Sequence, residues 1–280
     1  MYETLSKEND GDSCRFIKLI NQNATIVLQN IRGYLESKLL SYLINLHTGE
    51  RPIYFIRNGL SEDSCKCKLG GDSNLSENGR KFTKCLEHYF RNELEINKTV
   101  FKEKFIIFCS TLKRSIQTAE NIKFLGTCHS LKALDEINVG ICEGYSYQEI
   151  AEKFPKEFED RNRDKLRYRY PRGESYMDMI LRIEPIIFEI ERQIGPIIVI
   201  AHQGILRCLY GYFALVPIEE IPTLEIPRHA VIKFVPKTYG FEEERIHIDP
   251  ESNKIWSISK DTYSNYKDTL THIPDKHKTR

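Results

Sequence analysis

The stretch RPIYFIRNG, residues 51–59, decides the fold, because it carries a buried strand directly into a polar turn. Its proline marks a boundary, and the short apolar run IYFI that follows is typical of a strand covered on both faces. Arg57 and Asn58 then stand at the carboxyl end of this predicted strand, before a glycine. In α/β proteins ligands bind at this end of the sheet, so we expect both side chains at a binding site.

Three further apolar runs predict strands of the same kind: FIIFCS at 105–110, PIIVIAHQG at 196–204 and AVIKFVP at 230–236. Helical spacing of apolar residues predicts helices over 35–46, 76–94, 115–122, 146–153, 174–192 and 205–214. Ser76 is the expected N-cap of the second of these helices. Strands that alternate with helices predict an α/β fold, in which a doubly wound, mainly parallel sheet is flanked by helices.

Composition excludes several classes of function. The 280 residues carry 41 basic and 40 acidic side chains, so no overall charge attracts nucleic acid, and any affinity for anions must come from a local cluster. No apolar run approaches the roughly 20 residues that cross a bilayer, and residues 1–12 are polar and unlike a signal peptide. We therefore expect a cytoplasmic protein with neither nucleic acid nor a membrane as a partner.

The two ends of the chain and its cysteines indicate little chemistry of their own. Residues 1–12 are expected to be disordered, and residues 249–280 are expected to form a polar C-terminal tail. The eight cysteines are scattered, and several lie in apolar runs where a thiol behaves as a small core residue. Cys65 and Cys67 form a close pair, but no second pair at zinc-type spacing accompanies them, which favours a loop with two thiols over a metal site.

Polar groups follow four apolar segments, at positions where parallel strands would end together. These groups are Arg57-Asn58-Gly59, Ser110 to Arg114, Asp135-Glu136 and His202-Gln203. Taken singly, each has an ordinary structural explanation, as an ion-pair partner, a satisfied histidine or a turn. Taken together, two arginines and a histidine at one sheet edge favour a phosphoryl site, because guanidinium donors match phosphate oxygens bidentately.

Five longer segments resemble the segments of one family in the same order. They are RPIYFIRNGLSEDSCKCKLGGDSNLSENGRK at 51–81, KRSIQTAE at 113–120, ALDEINVGICEGYSYQEI at 133–150, DKLRYRYPRGESY at 164–176 and VIAHQGILRCLYGYF at 199–213. Residues 51–248 resemble the bisphosphatase domain of 6-phosphofructo-2-kinase/fructose-2,6-bisphosphatase, within the histidine phosphatase superfamily and its phosphoglycerate mutase-like fold. Residues 13–50 resemble the end of the kinase domain that precedes it. The kinase's phosphate loop, Gly-x-x-x-x-Gly-Lys-Ser/Thr, is absent from this sequence, so no kinase activity is expected.

The resemblance implies a catalytic set with one replacement. In the family, a histidine after the strand arginine attacks the 2-phosphoryl group, and a glutamate protonates the departing fructose oxygen. Asn58 stands at the position of that histidine, and its amide nitrogen cannot attack phosphorus because the lone pair is delocalised. By matching positions, Glu136 is the expected general acid, whereas Arg57, Arg114 and His202 are expected to hold the phosphoryl group.

The resemblance also implies a sugar-phosphate pocket, whose residues match the family pattern more fully than those of the catalytic loop. Around Asn58, Leu60 and Ser64 replace a glutamate and an asparagine of the family pattern. The residues that match positions gripping fructose 6-phosphate are Tyr147, Arg161, Lys165, Tyr176, Gln203 and Arg207. Alone, the alternating charges of DRNRDKLRYRYPR are typical of a solvated surface, but the match favours retained binding. No cofactor or metal is implied, since arginines take the place of metals in this fold.

The sequence leaves three functions open. The favoured one is a pseudophosphatase that binds fructose 2,6-bisphosphate or fructose 6-phosphate in the control of glycolysis. A second is an active phosphatase that uses Glu136 and water by a histidine-independent route, because the remaining groups can keep about 10³ to 10⁴ of rate acceleration. A third is a structural module that pairs with a kinase-bearing homologue, or with a second copy of this chain.

Overall fold

The computed structural model describes residues 15–20, 25–45, 51–97, 103–237 and 240–259. Within these ranges the strands are β1 (Phe16–Ile20), β2 (Thr25–Gln29), β3 (Ile53–Arg57), β4 (Phe105–Cys109), β5 (Gly126–Ser130), β6 (Ile197–Ala201), β7 (Ala230–Lys237), β8 (Gly240–Ile248) and β9 (Ile255–Ser259). The helices are α1 (Tyr34–Asn45), α2 (Glu62–Cys65), α3 (Glu77–Ile96), α4 (Lys113–Glu120), α5 (Tyr147–Lys153), α6 (Pro155–Arg163), α7 (Tyr176–Arg192) and α8 (Gln203–Phe213). Among the described residues, no helix combines the length and the apolar character that crossing a membrane requires.

A mixed sheet forms the centre of the domain, and in the described part of the chain it has seven strands in the order β5-β4-β6-β3-β7-β8-β9. The four strands from β5 to β3 are parallel, whereas β7, β8 and β9 continue the sheet as antiparallel strands beside β3. Strands β1 and β2 form a separate antiparallel hairpin. The predicted α/β class, with a helix-flanked and mainly parallel sheet, is therefore confirmed, and the antiparallel edge is an addition to it.

Strand β3 is buried on both faces, which explains its continuous apolar sequence. Ile53 and Phe55 pack in one hydrophobic cluster with side chains of α7 and α8. Tyr54 and Ile56 point to the opposite face and pack in a second cluster with side chains of α3 and with Ala119 of α4. Full burial of each such side chain stabilises the fold by about 1.5 to 3 kcal/mol. This two-sided packing fixes the position at which the next residues leave the sheet.

Seven of the described elements were not predicted from the sequence: the strands β1, β2, β5, β8 and β9 and the helices α2 and α6. Of these, β5, β8 and α6 lack a continuous apolar run. Residues 255–259 were assigned to a C-terminal tail, but they form β9 and pair with β8. Ile258 is buried there, and the ring of Trp256 stacks on that of His247 with centroids 5.5 Å apart. The predicted disordered segment 1–12 and the tail from residue 260 onward lie outside the described residues.

Candidate functional site

A cavity of about 710 Å³ opens where strands β3 and β6 end and helix α8 begins. The structure brings every site residue that the sequence predicted to the wall of this cavity. These residues are Arg57, Asn58, Arg114, Glu136, Tyr147, Arg161, Lys165, Tyr176, His202, Gln203 and Arg207. They come from seven separate segments of the chain, so their meeting is a property of the fold and not of sequence proximity.

The cavity is strongly cationic. Among the described residues that line it, the basic side chains are Arg57, Lys68, Arg114, Arg161, Lys165, Arg207 and Arg228, and Glu136 is the single acidic one. Four of the basic and tyrosine side chains that line it were not predicted from the sequence: Lys68, Tyr168, Tyr170 and Arg228. The excess of positive charge in a concave and partly buried space makes an anion the expected ligand.

Asn58 is fixed at the end of β3 by its backbone. Its amide N–H donates to the carbonyl of Ala201 at 2.9 Å, which extends the pairing of β3 with β6 by one residue. The side chain is 7% exposed, and its Nδ2 donates to the carbonyl of Gly59 at 2.8 Å. A larger residue than Gly59 would be crowded, since an added Cβ would lie 3.0 Å from Cδ2 of Leu75 and 3.1 Å from the carbonyl oxygen of Gly79. The Asn58 amide therefore occupies a tight turn at the cavity wall.

His202 is the N-cap residue of α8, and its side chain is almost completely buried. Its Nδ1 accepts a hydrogen bond from Nε of Arg114 at 3.3 Å, and its Nε2 lies 2.6 Å from Oγ of Ser110. Because Nδ1 accepts, the ring proton is on Nε2, which donates to Ser110. Burial, and then the charges of Arg114 and Arg57, hold the pKa of His202 well below its usual range. The imidazole is therefore neutral at pH 7.

The two predicted phosphoryl-binding arginines have few competing partners. Nη1 of Arg114 donates to the carbonyl of Gly71 at 2.7 Å, and this carbonyl is presented by a turn in which Gly70 and Gly71 have φ values of 71° and 68°. Nη1 of Arg57 donates to the carbonyl of Ile226 at 3.3 Å. Burial is the main cause that lowers the pKa of Arg57 to about 9. Both guanidinium groups thus remain charged at neutral pH.

Glu136 is held at the N-terminus of α8. Its Oε1 accepts hydrogen bonds from the backbone N–H of Ile137 at 3.1 Å and of Gly204 at 3.2 Å. A Cβ on Gly204 would lie 2.7 Å from this oxygen, so a larger residue here would require the Glu136 carboxylate to shift. The neighbouring Asp135 has a structural task instead, because it accepts from the backbone and hydroxyl of Thr111 at 2.8 Å. Asp135 therefore stabilises the loop at Thr111, whereas Glu136 lines the cavity.

Two tyrosines at the other end of the cavity are placed by helix caps. Ser146 and Ser175 each form a capping box, and Tyr147 and Tyr176 are the first residues of α5 and α7. The hydroxyl of Tyr147 accepts from Nη2 of Arg161 at 2.9 Å, and the guanidinium lies over the Tyr147 ring at 4.6 Å. Nε of this arginine donates to the hydroxyl of the missed residue Tyr170 at 2.7 Å. Arg161 is therefore held in place by two tyrosine hydroxyls.

Arg207 and Lys165 also line this end of the cavity. Nη1 of Arg207 donates to the hydroxyl of Tyr176 at 3.0 Å, and its Nε donates to the carbonyl of Leu224 at 2.6 Å. Nζ of Lys165 donates to the carbonyl of Pro222 at 2.8 Å. Burial, and then the neighbouring charge of Arg207, lower the pKa of Lys165 to about 8. A bound anion would relieve this repulsion.

Comparison with known families assigns the domain. A model of the histidine phosphatase superfamily, branch 1, matches residues 53–249, which include every residue of the cavity wall. The chain belongs to this superfamily. A model of 6-phosphofructo-2-kinase matches residues 1–50, so the histidine phosphatase domain follows a segment of a different family.

This histidine phosphatase domain has relatives among proteins of known name. The chain is 42% identical to a fructose-2,6-bisphosphatase of Saccharomyces cerevisiae, over 88% of this chain and 52% of that protein. It is 38% identical to a 6-phosphofructo-2-kinase/fructose-2,6-bisphosphatase of Caenorhabditis elegans, over 93% of this chain and 55% of that protein. The chain thus spans about half the length of these relatives.

Solved structures of two phosphatases share this fold at low sequence identity. An alpha-ribazole phosphatase from Shigella flexneri superposes with a TM-score of 0.57 at 17% identity, over 65% of this chain and 89% of that one. A mycobacterial glucosyl-3-phosphoglycerate phosphatase superposes with a TM-score of 0.53 at 20% identity, over 66% of this chain and 92% of that one. These similarities establish the architecture of the histidine phosphatase domain.

Proposed function

We propose that this domain is a pseudophosphatase, which binds fructose 2,6-bisphosphate or fructose 6-phosphate and hydrolyses the bisphosphate slowly or not at all. The observation that carries the proposal is Asn58, a side chain without a nucleophilic lone pair, at the β3 end of a cationic cavity. The fructose-2,6-bisphosphatase relatives, at about 40% identity, support the choice of sugar phosphate. A task in the control of glycolysis is part of this proposal and follows from the sequence resemblance.

The distribution of charge supports a ligand with two anionic groups. Arg57 and Arg114 lie with His202 near the end of β3, whereas Arg161 and Arg207 lie with the tyrosines of α5 and α7. A cavity of about 710 Å³ falls within the usual range of roughly 300 to 1,000 Å³ for small-molecule sites. The proposed ligand would place its 2-phosphoryl group at the first cluster and its 6-phosphate at the second.

His202 is a poor substitute for the missing nucleophile. Its Nδ1 lone pair accepts from Arg114, and its Nε2 carries the proton that is donated to Ser110. Attack on phosphorus would require one of these hydrogen bonds to break inside a buried site. Slow hydrolysis by water, with Glu136 as the acid, is the remaining route, since charge stabilisation alone preserves part of the acceleration.

Calorimetric titration with fructose 2,6-bisphosphate and fructose 6-phosphate, with phosphate release followed in parallel, tests the proposal. We expect binding of both sugars and little release. Rapid release would establish an active phosphatase, and absence of binding would favour a structural module that pairs with a kinase-bearing protein. Arg161→Ala and Lys165→Ala should each weaken binding by about 1.5 to 3 kcal/mol, the range of a charge-assisted hydrogen bond. Arg163→Ala, on the exposed face of α6, is the matched control.

A further inference from the structure

The direction of β7 brings an additional arginine to the catalytic end of the sheet. Because β7 is antiparallel to β3, with Val231 opposite Ile56, the residues that precede β7 lie beside the residues that follow β3. Arg228 is two residues before β7 and lines the cavity together with Arg57 and Asn58. No catalytic or binding role was assigned to Arg228 from the sequence, and its neighbours His229 and Pro227 suggest only a turn.

We infer that Arg228 is a phosphate-binding residue of this cavity, and that it sets the preference of the domain for a sugar bisphosphate over a monophosphate. The inference rests on the proposed function, since it concerns the phosphoryl group that would lie beside Asn58. It adds to that function a third guanidinium group at the end of the cavity where the nucleophile is missing.

The hydrogen bonds of the described residues leave Arg228 available for a ligand. Its guanidinium makes no hydrogen bond or ion pair with any residue in the part of the chain that the structure describes. Arg57 and Arg114, by contrast, each donate to a backbone carbonyl, and Arg114 also donates to His202. A guanidinium carries five N–H donors in a planar fork that matches phosphate oxygens. Arg228 is thus half-buried at the cavity wall with its donors unused.

Local charge favours a doubly charged group at this position. Burial and then the charge of Arg228 lower the pKa of Arg57, so these two cations lie within strong electrostatic reach of each other. With Arg114 they make three guanidinium charges, against the one carboxylate of Glu136 among the described residues that line the cavity, while His202 is neutral. Asp63, Asp72 and Asp135 offset part of the charge of Arg114 from outside the lining, so an excess of positive charge still faces the cavity. A phosphate monoester carries about −1.5 to −2 at pH 7, which matches this excess.

The backbone next to Arg228 is fixed, which holds the start of the Arg228 side chain at the cavity wall. His229 has a φ of 52°, in the left-handed region, and its carbonyl accepts from the N–H of Ile248 in β8 at 2.8 Å. Its ring packs against Phe82 with centroids 5.1 Å apart. Left-handed residues other than glycine persist only where the surroundings hold them. Arg228 therefore needs no backbone rearrangement to meet a ligand, and only its side-chain torsions have to be ordered on binding.

Titration of Arg228→Gln, Arg228→Lys and the wild type with both sugars tests the inference. Arg228→Gln should weaken fructose 2,6-bisphosphate binding about 10- to 100-fold, the effect of losing charge-assisted hydrogen bonds, and change fructose 6-phosphate binding less than about twofold. Arg228→Lys should restore part of the affinity for fructose 2,6-bisphosphate, because lysine returns the positive charge but not the planar set of N–H donors. Arg163→Gln is the control for loss of a surface arginine. The ligand-free melting temperature of Arg228→Gln should equal or exceed that of the wild type, since a repulsion is removed.

The outcomes separate this inference from the proposed function. If Arg228→Gln loses the same affinity for both sugar phosphates, or loses none for either, the role of Arg228 is overturned. Binding of these ligands by the wild type would still support the proposed function. If the wild type binds neither sugar, the function fails, and inorganic phosphate becomes the probe for Arg228. A phosphate-dependent rise in melting temperature that is smaller in Arg228→Gln than in the wild type then supports the residue's role, and an equal rise overturns it.

Discussion

The backbone of residue 58 is set by the sheet and not by its own side chain, because the N–H of Asn58 pairs with the carbonyl of Ala201. A histidine at this position would start from the same strand end, beside Arg57 and opposite His202 in the cavity. We expect Asn58→His to form a slow, acid-labile phosphoenzyme with fructose 2,6-bisphosphate, whereas the wild type forms none. The measurement is covalent labelling from substrate carrying radioactive phosphate at position 2.

The triple variant Asn58→His, Leu60→Glu, Ser64→Asn provides the stricter comparison. Ser64 lines the cavity and accepts a hydrogen bond from Ser61 at 3.0 Å, so its replacement changes groups close to residue 58. Catalytic groups that act as a unit are strongly non-additive, and we expect more phosphate release from the triple than from the single variant. If both variants bind substrate and neither is labelled, the roles given to Arg57, Arg114, Glu136 and His202 should be withdrawn.

The buried, neutral His202 has a consequence for stability that depends on pH. Its pKa in the folded chain is depressed, whereas in the unfolded chain it is about 6.5, so the unfolded state binds the extra proton below that pH. Stability is therefore present above pH 6.5 and is lost as the pH falls. From pH 7 to pH 5 this one group should lower the free energy of unfolding by at most about 2 kcal/mol, the limit that the unfolded pKa sets.

Urea denaturation of His202→Gln at both pH values measures this contribution. The amide of glutamine can replace the donor and the acceptor of the ring but binds no proton, so the variant should lose less stability than the wild type between pH 7 and pH 5, by up to about 2 kcal/mol. Other titrating groups, including His229 and His247, are common to both proteins and cancel in the difference. His88→Gln, at an exposed position of α3, should behave as the wild type. An identical pH dependence for His202→Gln would contradict a neutral His202.

At the scale of elements, the start of α7 links a helix cap to the proposed sugar site. Oγ of Ser175 accepts from the N–H of Asp178 at 3.2 Å, and the Asp178 carboxylate accepts from the N–H of Ser175 at 2.8 Å. The next residue, Tyr176, receives a hydrogen bond from Arg207. Ser175→Ala should lower the free energy of unfolding by about 0.5 to 2 kcal/mol and also weaken fructose 6-phosphate binding, because the first turn of α7 carries Tyr176.

A second N-cap provides the control for this prediction. Ser76 caps α3 by accepting from the N–H of Gly79, and no residue of α3 lines the cavity. Ser76→Ala should therefore lose similar stability without losing affinity, and Ser175→Thr should recover both properties. Thermal unfolding and calorimetry report the two quantities separately. Unchanged affinity in Ser175→Ala would mean that core packing alone positions Tyr176.

Elements with a buried, continuous apolar pattern could be predicted, whereas the half-exposed strands β1 and β2 and the more polar segments could not. Strands β3, β4, β6 and β7 are buried runs, and helices α3 and α7 have clear apolar faces with serine caps. Strand β5 has the sequence GTCHS and is mostly exposed at the sheet edge, while β8 is rich in glutamate. Pairing with a neighbour, and not their own side chains, makes these segments strands. Such pairing is a long-range property that local patterns do not contain.

The whole molecule explains which site residues the sequence could reveal. Arg57 ends β3 and His202 follows β6. Because the carboxyl ends of parallel strands lie at the same edge of the sheet, the sequence predicts that these two side chains lie close together. Arg161 and Tyr176 were found through the family resemblance. Arg228 precedes a strand, and it reaches the same edge only because β7 runs antiparallel to β3. The direction of a strand cannot be predicted from an apolar run, so Arg228 was not predicted to lie at the site.

Charge at the scale of the whole chain leads to the last prediction. The net charge is only +1, so anion binding must come from the cavity, where seven basic side chains stand against one carboxylate. A ligand that binds only the folded state at 100 times its Kd should raise the free energy of unfolding by about 2.7 kcal/mol. We expect a corresponding rise in melting temperature with fructose 2,6-bisphosphate and none with unphosphorylated fructose at the same concentration. Added salt should reduce the rise, because part of the attraction is screened. Equal stabilisation by fructose would show that the sugar ring, and not the phosphate charge, provides the binding energy.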